Sequence, residues 1–268
     1  MDIKGFGHEP AFRAQSIRQD VDQDKRSGQL GLSKRIVTAS DDPSGAGIMA
    51  RMEARAASYG HGQDNASAGL GLARMAGGAM DSVSRNLERM RELATGASNG
   101  TLSDGDRKIM DAEFQELKSQ VKQTFEAEFG DVKIFGGDSA SFGVGDGAGD
   151  TVEVQLPDSS DTALANVDSL AVDTSAGSSE AMAGIDQAKD AIAASQAELG
   201  AAAGALSSAA KVAATSKVHA SASASRIGDA DIARQSAVHA KTSILKHAVL
   251  SMQAHQGLDE QLVGKLLE

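Results

Sequence analysis

The fold is decided by residues 68–101, which read AGLGLARMAGGAMDSVSRNLERMRELATGASNGT. Apolar or small side chains recur there every three or four residues, which places them in one stripe along an α-helix. The stripe consists of Leu72, Met75, Ala79, Val83, Leu87, Met90, Ala94 and Ala97. A helix this long cannot bury its stripe against itself. The sequence therefore predicts partner helices of similar length.

The composition favours long, closely packed helices over an ordinary globular core. Only 3% of the 268 residues are aromatic, and there is no Trp and no Cys. Without Cys, the chain has no disulfide framework, thiolate metal site or Cys nucleophile. The net charge of −11 argues against nucleic acid and anionic membrane surfaces as partners.

The N-terminus predicts no cleaved signal peptide. Its first residues, MDIKGFGHEPAF, lack the apolar segment that a signal peptide requires. We also find no apolar run of about 18 residues that would span a membrane. If the protein is exported, we expect a route that does not read a cleaved signal.

The partner helix is predicted downstream of residue 180 by a heptad pattern. Its large or small apolar positions, seven residues apart, are Ile185, Ile192, Leu199, Leu206, Ala213, Ala220 and Ile227. Sustained heptads are typical of a coiled coil. We predict a rod seam in which Leu199 and Leu206 pack against the helix of the opening stretch. Its named members are Val83, Leu87, Met90, Ile192, Leu199 and Leu206.

The remaining segments predict further helices and one hairpin. Residues 104–125 have helical spacing of Ile109, Phe114 and Val121, with Ser103 or Asp104 as the cap. Alternating apolar residues with a Gly-rich turn predict a β-hairpin near 140–157. The end helices, about 10–32 and 230–267, are poor in large apolar groups. We therefore expect them to pair with each other or with neighbouring subunits.

No catalytic or metal site emerges from the residue pattern. The carboxylates of Asp41 and Asp42 precede Pro43 and suit a helix cap better than an acid–base pair. His239, His247 and His255 stand eight residues apart, which rotates successive rings away from one another on a helix. We expect neither an enzyme nor a protein with a cofactor or bound metal.

Several collinear motifs resemble bacterial flagellin, the subunit of the flagellar filament. They are residues 33–36 (SKRI) with 39–43 (ASDDP), 86–94 (NLERMRELA) with 98–101 (SNGT), 142–145 (FGVG) with 152–158 (VEVQLPD), 225–231 (SRIGDAD) and 244–248 (ILKHA). The resemblance implies a mainly α fold: a long antiparallel helical coiled-coil bundle with one small β-hairpin and paired N- and C-terminal helices. Only about twenty residues separate Pro157 from the heptad helix, so the outer variable domains look absent.

The resemblance also implies a function and a domain plan. Residues 1–40 and 229–268 would form the inner-tube domain, and 41–228 the helical rod. The chain would polymerise with itself into an extracellular filament for motility. The implied partners are the flagellar export apparatus, an export chaperone at the C-terminal helix, and the filament cap and junction proteins. In the filament the inner-tube contacts would bury Ile17, Val21, Ile244, Met252 and Leu266.

A vertebrate innate immune receptor is a further partner that the resemblance implies. By motif alignment its contacts are Arg89, Leu93 and Glu113, although Gly96 stands where many recognised flagellins have Gln. Two rival functions stay open at this point. One is the hook–filament junction protein, which shares the motifs at 41–43 and 99–101. The other is a secreted coiled-coil adhesin or binding module.

Overall fold

The computed structural model describes the backbone of residues 9–266 and the side chains of 17–18, 20–161 and 163–252. The α-helices are α1 (Glu9–Leu32), α2 (Pro43–Ala97), α3 (Asp104–Phe125), α4 (Thr162–Ala165), α5 (Ser175–Gly228) and α6 (Ile232–Leu266). The strands are β1 (Glu128–Phe129), β2 (Val132–Lys133), β3 (Ser139–Gly143) and β4 (Thr151–Gln155). The predicted mainly α fold is confirmed.

The chain divides into two units. The first combines the chain up to Ala54 with the chain from His219 onward, and the second runs from Arg55 to Val218. Helices α2 and α5 therefore contribute residues to both units. The domain boundaries predicted after residues 40 and 228 stay predictions.

Helix α2 begins where the sequence predicts and runs further than expected without interruption. Asp42 Oδ1 accepts a hydrogen bond of 2.8 Å from the backbone N–H of Gly45, and Pro43 occupies the first helical position. Gly60 and Gly62 do not end the helix, because α2 is one helix of 55 residues. Gly62 instead provides space: a Cβ there would lie 2.5 Å from the carbonyl oxygen of Val144.

The core of the second unit uses most of the predicted stripe, including Leu72 at its start, but not Met75. From Val83 to Ala97 the predicted stripe is buried. Met75, which was predicted to belong to it, is 45% exposed, whereas Ala76 and Met80 are fully buried. The prediction was wrong there because steps of three or four residues allow two neighbouring paths along a helix. Only the partner surface selects between them.

Helix α5 runs antiparallel to α2 in one constant register. At one end, Lys217 Nζ would lie 3.4 Å from a Cβ built on Gly60. At the other, the Thr95 hydroxyl donates to Met182 Sδ at 3.4 Å. Between these contacts both helices advance by 35 residues. The two helices thus meet in register over the whole second unit.

All six residues of the predicted rod seam are buried in one core cluster. Their pairing follows the antiparallel register. A Cβ built on Gly69 would lie 3.0 Å from Leu206 Cδ1, so Leu206 packs much nearer Gly69 than the stretch from Val83 to Met90. Leu206 thus packs on α2, near the start of the opening stretch. Heptad spacing predicts which face is buried and carries no information on register.

Two antiparallel strand pairs lie in the second unit. Strands β3 and β4 pair from Ser139–Gln155 to Gly143–Thr151, which confirms the predicted hairpin. Strands β1 and β2 form another pair of two residues each, so the expectation of one hairpin was incomplete. Such short strands show no alternation that a sequence pattern could reveal.

In the first unit, the N-terminal connector is bonded to the α5–α6 junction. The Gly228 carbonyl accepts from the backbone N–H of Arg35 at 2.7 Å and of Ile36 at 3.3 Å. The Arg35 guanidinium also donates to the Ile227 carbonyl at 2.6 Å. These bonds join the two chain ends beside α1 and α6, which contact each other. The predicted pairing of the terminal helices is confirmed.

Candidate assembly surfaces

The terminal helices expose large apolar side chains in the single chain. Ile17 is 62% exposed, Val21 61%, Ile244 69% and Met252 60%. Two further residues that the sequence analysis passed over, Leu245 and Leu250, are also exposed. The side chain of Leu266, also predicted to take part in assembly, lies outside the described residues. Exposed apolar groups in this number are candidates for contacts with other protein chains.

Polar contacts hold α1 and α6 together. Lys246 Nζ lies 2.6 Å from Asp20 Oδ1, and Gln235 Nε2 donates to Gln29 Oε1 at 2.6 Å. Gln29 in turn donates to the Arg35 carbonyl at 2.7 Å. Because these pairs need no large apolar group, Ile17, Val21, Ile244 and Met252 stay exposed while the two helices are paired.

The connector after α1 carries one strongly perturbed carboxylate. Lys25 Nζ lies 2.7 Å from Asp41 Oδ1, and the backbone N–H groups of Val37 and Thr38 donate to Asp41 Oδ2. Hydrogen bonds from Lys25, then from Thr38 and Val37, hold the pKa of Asp41 far below its ordinary value. Asp41 is thus ionised and anchors the connector. This agrees with a structural role for Asp41 and Asp42, as opposed to an acid–base pair.

Two of the three predicted receptor contacts lie on the surface, and the third lies in the core. Arg89 Nη2 lies 2.7 Å from Glu113 Oε1, and the hydrogen bond to Glu113 raises the pKa of Arg89. Both side chains are on the surface. Leu93 is only 5% exposed and belongs to the core. The prediction that Leu93 offers a contact surface conflicts with this burial in the folded subunit.

Gly96 lies against the helix that carries Glu113. A Cβ on Gly96 would lie 2.6 Å from Met110 Cε. Any larger residue at this position therefore displaces the end of the Met110 side chain, which is flexible and can move.

Two features of the surface were missed by the sequence analysis. Ile109, which was placed on the apolar face of α3, is 74% exposed. Arg107 is buried instead, and its guanidinium donates to the carbonyls of Ala97, Asn99 and Leu102 at 2.8–2.9 Å. An apolar pattern alone could not separate the two faces, because Arg107 reaches inward to cap the end of α2.

The part of the chain that the structure describes contains no cluster of three or more His, Asp or Glu side chains placed to hold a metal ion. Within the same residues, no helix carries an apolar stretch of the length needed to cross a membrane.

Two family models match the chain. The bacterial flagellin N-terminal helical region matches residues 19–140, and the bacterial flagellin C-terminal helical region matches residues 182–267. Together they cover well over half of the chain and leave residues 141–181 between them.

Curated relatives carry the same family name over most of this chain. A flagellin of Listeria innocua serovar 6a is 28% identical over 257 residues, which is 89% of this chain and 90% of the relative. A flagellin of Halalkalibacterium halodurans is 29% identical over 250 residues and 91% of each chain. A flagellin of Salmonella derby is 31% identical over 130 residues, which is 48% of this chain and 26% of that longer relative.

Solved structures share the fold. The crystal structure of Bacillus cereus flagellin matches with a TM-score of 0.51 and 23% identity, covering 56% of this chain and 88% of that one. A structure from Vibrio parahaemolyticus described as a flagellar hook-associated protein matches with a TM-score of 0.59 and 17% identity, covering 70% and 100%. At these identities the structures speak for the fold alone, whereas the family models and the curated relatives favour neither the junction protein nor an adhesin. The chain therefore belongs to the bacterial flagellin family and is a structural subunit of the flagellar filament.

Proposed function

We propose that this subunit polymerises chiefly through α1 and α6, whose exposed apolar side chains pack against neighbouring subunits at the inner tube. The observation that carries the proposal is the exposure of Ile17, Val21, Ile244 and Met252 on two helices held together by polar contacts. Burying such groups in a neighbour removes apolar area from water. Since the contact joins unlike surfaces without closing, it propagates as a filament.

Limited proteolysis tests the proposal. Arg18 and Lys241 are exposed, and trypsin should cut there and at Arg26 and Lys246 in the monomer. An isolated pair of thinly apolar helices opens readily, because it buries little surface against its ordering entropy. The same sites should be protected in filaments, and the trimmed fragment should not polymerise. A trimmed fragment that still forms normal filaments would contradict the proposal.

A matched substitution separates assembly from folding. Ile244→Asp places a charge on an exposed position of α6, so the monomer should keep its helix content. It should lose polymerisation, measured by sedimentation. Met75→Asp, at an exposed position of α2 in the second unit, is the control and should polymerise.

The further partners follow from the family. We expect export through the flagellar secretion channel, and an export chaperone that covers the exposed apolar face of α6 before assembly. Cap and junction proteins would bind the same terminal surface at the two filament ends. A purified chaperone that binds an Ile244→Asp/Met252→Asp variant as tightly as the unchanged chain would argue against this site.

We also propose that Arg89 and Glu113 form the polar part of an innate-receptor contact. The ion pair between Arg89 and Glu113 supports this proposal, because it places both side chains together on the surface. Leu93 would act from the core by holding the helix position. Soluble subunit should activate receptor-bearing cells, and Arg89→Ala should reduce the response while Arg85→Ala should not.

A substitution at Gly96 tests the receptor contact more directly. Gly96→Gln alone has to displace Met110, so it should be combined with Met110→Ala, which frees that space. We expect this double variant to raise the response. If the unchanged chain is silent and the double variant is silent too, the receptor assignment is wrong.

A further inference from the structure

The turn between α2 and α3 carries an exposed Asn99-Gly100 pair. It lies between the end of α2 at Ala97 and the cap of α3 at Ser103. In the described part of the chain, the backbone N–H of Gly100 donates to no acceptor. A Cβ built on Gly100 would meet nothing within 4 Å. The Gly100 nitrogen is therefore neither engaged nor sterically obstructed.

The side-chain amide of Asn99 is held close to that nitrogen. Its Oδ1 accepts a hydrogen bond from the backbone N–H of Thr101 at 3.1 Å and another from the Thr101 hydroxyl at 2.9 Å. Because Thr101 follows Gly100, these bonds fold the amide back over the peptide bond between Asn99 and Gly100. Two donors on one carbonyl oxygen also stabilise negative charge that develops there when the carbonyl carbon is attacked.

The backbone carbonyl of Asn99 is polarised by a buried cation. It accepts from Arg107 Nη2 at 2.8 Å and from the backbone N–H of Leu102 at 3.2 Å. This oxygen belongs to the same amide group as the Gly100 nitrogen. When that nitrogen loses its proton, charge spreads onto the oxygen, and a guanidinium that donates to it stabilises the ionised form. The Asp104 carboxylate, 3.8 Å from Arg107 Nη1, is exposed to water and offsets only part of this charge.

We propose that Asn99 and Gly100 form a self-modifying site, at which the Gly100 nitrogen attacks Asn99 Cγ and the side-chain amide is lost. Thr101 activates the carbonyl that is attacked, and Arg107 activates the nitrogen that attacks. Holding both reacting groups in one turn makes the step intramolecular. The contribution of Arg107 comes from another helix, so the dipeptide alone does not reveal it.

The reaction balances with water as its single co-reactant. Hydroxide removes the Gly100 amide proton, the bond from Gly100 N to Asn99 Cγ forms, and the bond from Cγ to Nδ2 breaks. The side-chain nitrogen leaves as ammonia with a proton from water, and a cyclic imide remains. Water then opens the imide at Cγ to give aspartate, or at the backbone carbonyl to give isoaspartate. The sum consumes one water and releases one ammonia.

Either product adds one negative charge beside Arg107. In the isoaspartate form, the carbonyl that Arg107 already binds becomes a free carboxylate, and the main chain of the turn gains one methylene. The new charge thus faces a cation that is already in place. Because the ammonia is lost, the modified fraction rises with the age of the subunit.

Peptide mapping of the full chain tests the proposal. Trypsin releases residues 92–107, which contain Asn99 as their single Asn and no Gln, so amide loss measured by mass spectrometry reports this site. In mildly alkaline buffer, the folded subunit should lose the amide about fivefold faster than the isolated peptide 92–107. A folded subunit that reacts no faster than the peptide would overturn the proposal, since the turn would then contribute no activation.

Substitutions separate the activating contacts from the sequence of the dipeptide. Thr101→Val removes the hydroxyl donor at an exposed position and should slow amide loss by about two- to tenfold. Ser98→Ala is the matched control, because the Ser98 hydroxyl donates to the Thr95 carbonyl, and its rate should equal that of the unchanged chain. Arg107→Lys should also slow the reaction if circular dichroism shows that it keeps its helix content. If it loses helix content, Thr101→Val alone decides, and a Thr101→Val rate equal to that of the unchanged chain would overturn the proposal.

Discussion

Arg91 on α2 donates two hydrogen bonds to Asp186 on α5, from Nε to Oδ1 at 2.6 Å and from Nη2 to Oδ2 at 3.2 Å. Such a two-point contact restricts geometry more than a single ion pair does. The same register continues at Gln196, which donates to Asp81 at 2.9 Å. An apolar heptad pattern would allow α5 to slide along α2 by a whole repeat and still bury apolar residues. These polar contacts form only in the observed register and therefore favour it over the shifted ones.

The Asp186 carboxylate should make the second unit acid-sensitive. The hydrogen bond from Arg91 lowers the pKa of Asp186 below its ordinary value of 3.8. A lowered folded-state pKa contributes stability above the ordinary value, and that contribution is lost as pH falls through the folded pKa. Asp186→Asn should therefore lower the thermal midpoint at neutral pH, with a difference from wild type that shrinks below pH 3.8. Asp190→Asn on the same helix is the control, and a difference that stays constant with pH would contradict the prediction.

Leu206→Ala should destabilise the second unit by about 2–5 kcal/mol, as truncation of a fully buried leucine does. Leu206 is fully buried and lies over Gly69, so the cavity has little room to collapse. Val212→Ala, at an exposed site of the same helix, should change stability by less than about 0.5 kcal/mol. Urea unfolding followed by circular dichroism measures both. An unchanged midpoint for Leu206→Ala would show that the seam is misassigned.

Two glycines of α2 should respond to alanine with opposite signs. Gly62→Ala places a Cβ 2.5 Å from the Val144 carbonyl oxygen, and the backbone there must shift, at a cost of about 1–3 kcal/mol. Gly78→Ala meets nothing within 4 Å, so the better helix propensity of alanine should stabilise by about 1 kcal/mol. Thermal unfolding of the two variants side by side checks this. Equal shifts would mean that the hairpin does not press on α2 at Gly62.

Arg107→Leu should destabilise the end of α2 by about 2–4 kcal/mol, because three carbonyls lose a buried charged donor. Those carbonyls belong to Ala97, Asn99 and Leu102. Arg107→Lys should recover only part of the loss, since one ammonium cannot reproduce the guanidinium fork. Hydrogen exchange of the last turn of α2 provides the local readout. Full recovery by lysine would mean that charge alone matters there.

The local elements could be predicted because their causes are local. The cap at Asp42 with Pro43, the apolar spacing of α2 and α5, and the alternation in β3 and β4 each depend on neighbours within one or two turns of chain. The assembly residues Ile17, Val21, Ile244 and Met252 could be selected for the same reason: they are the sparse apolar groups of weak terminal helices. Their packing partners in the filament stay predictions.

The misses share a different cause. Met75 was assigned to the buried stripe and Met80 was left out, and Arg107 was not recognised as a buried cap. For Met75 and Met80 the answer depends on which residue of a distant helix lies opposite, and for Arg107 it depends on the turn at the end of α2, five to ten residues earlier. Helical periodicity holds no information on either.

By itself, the sequence determined that this chain forms long helices with one conspicuous hairpin, and its motifs indicated the flagellin family. The tertiary structure alone decided the register of α2 against α5, the inward turn of Arg107 and the outward turn of Ile109. The physical reason is the range of the interactions. Periodicity and caps act within a few residues. The register of α2 against α5 is settled by packing and hydrogen bonds between segments about a hundred residues apart, as in the bonds of Arg91 to Asp186.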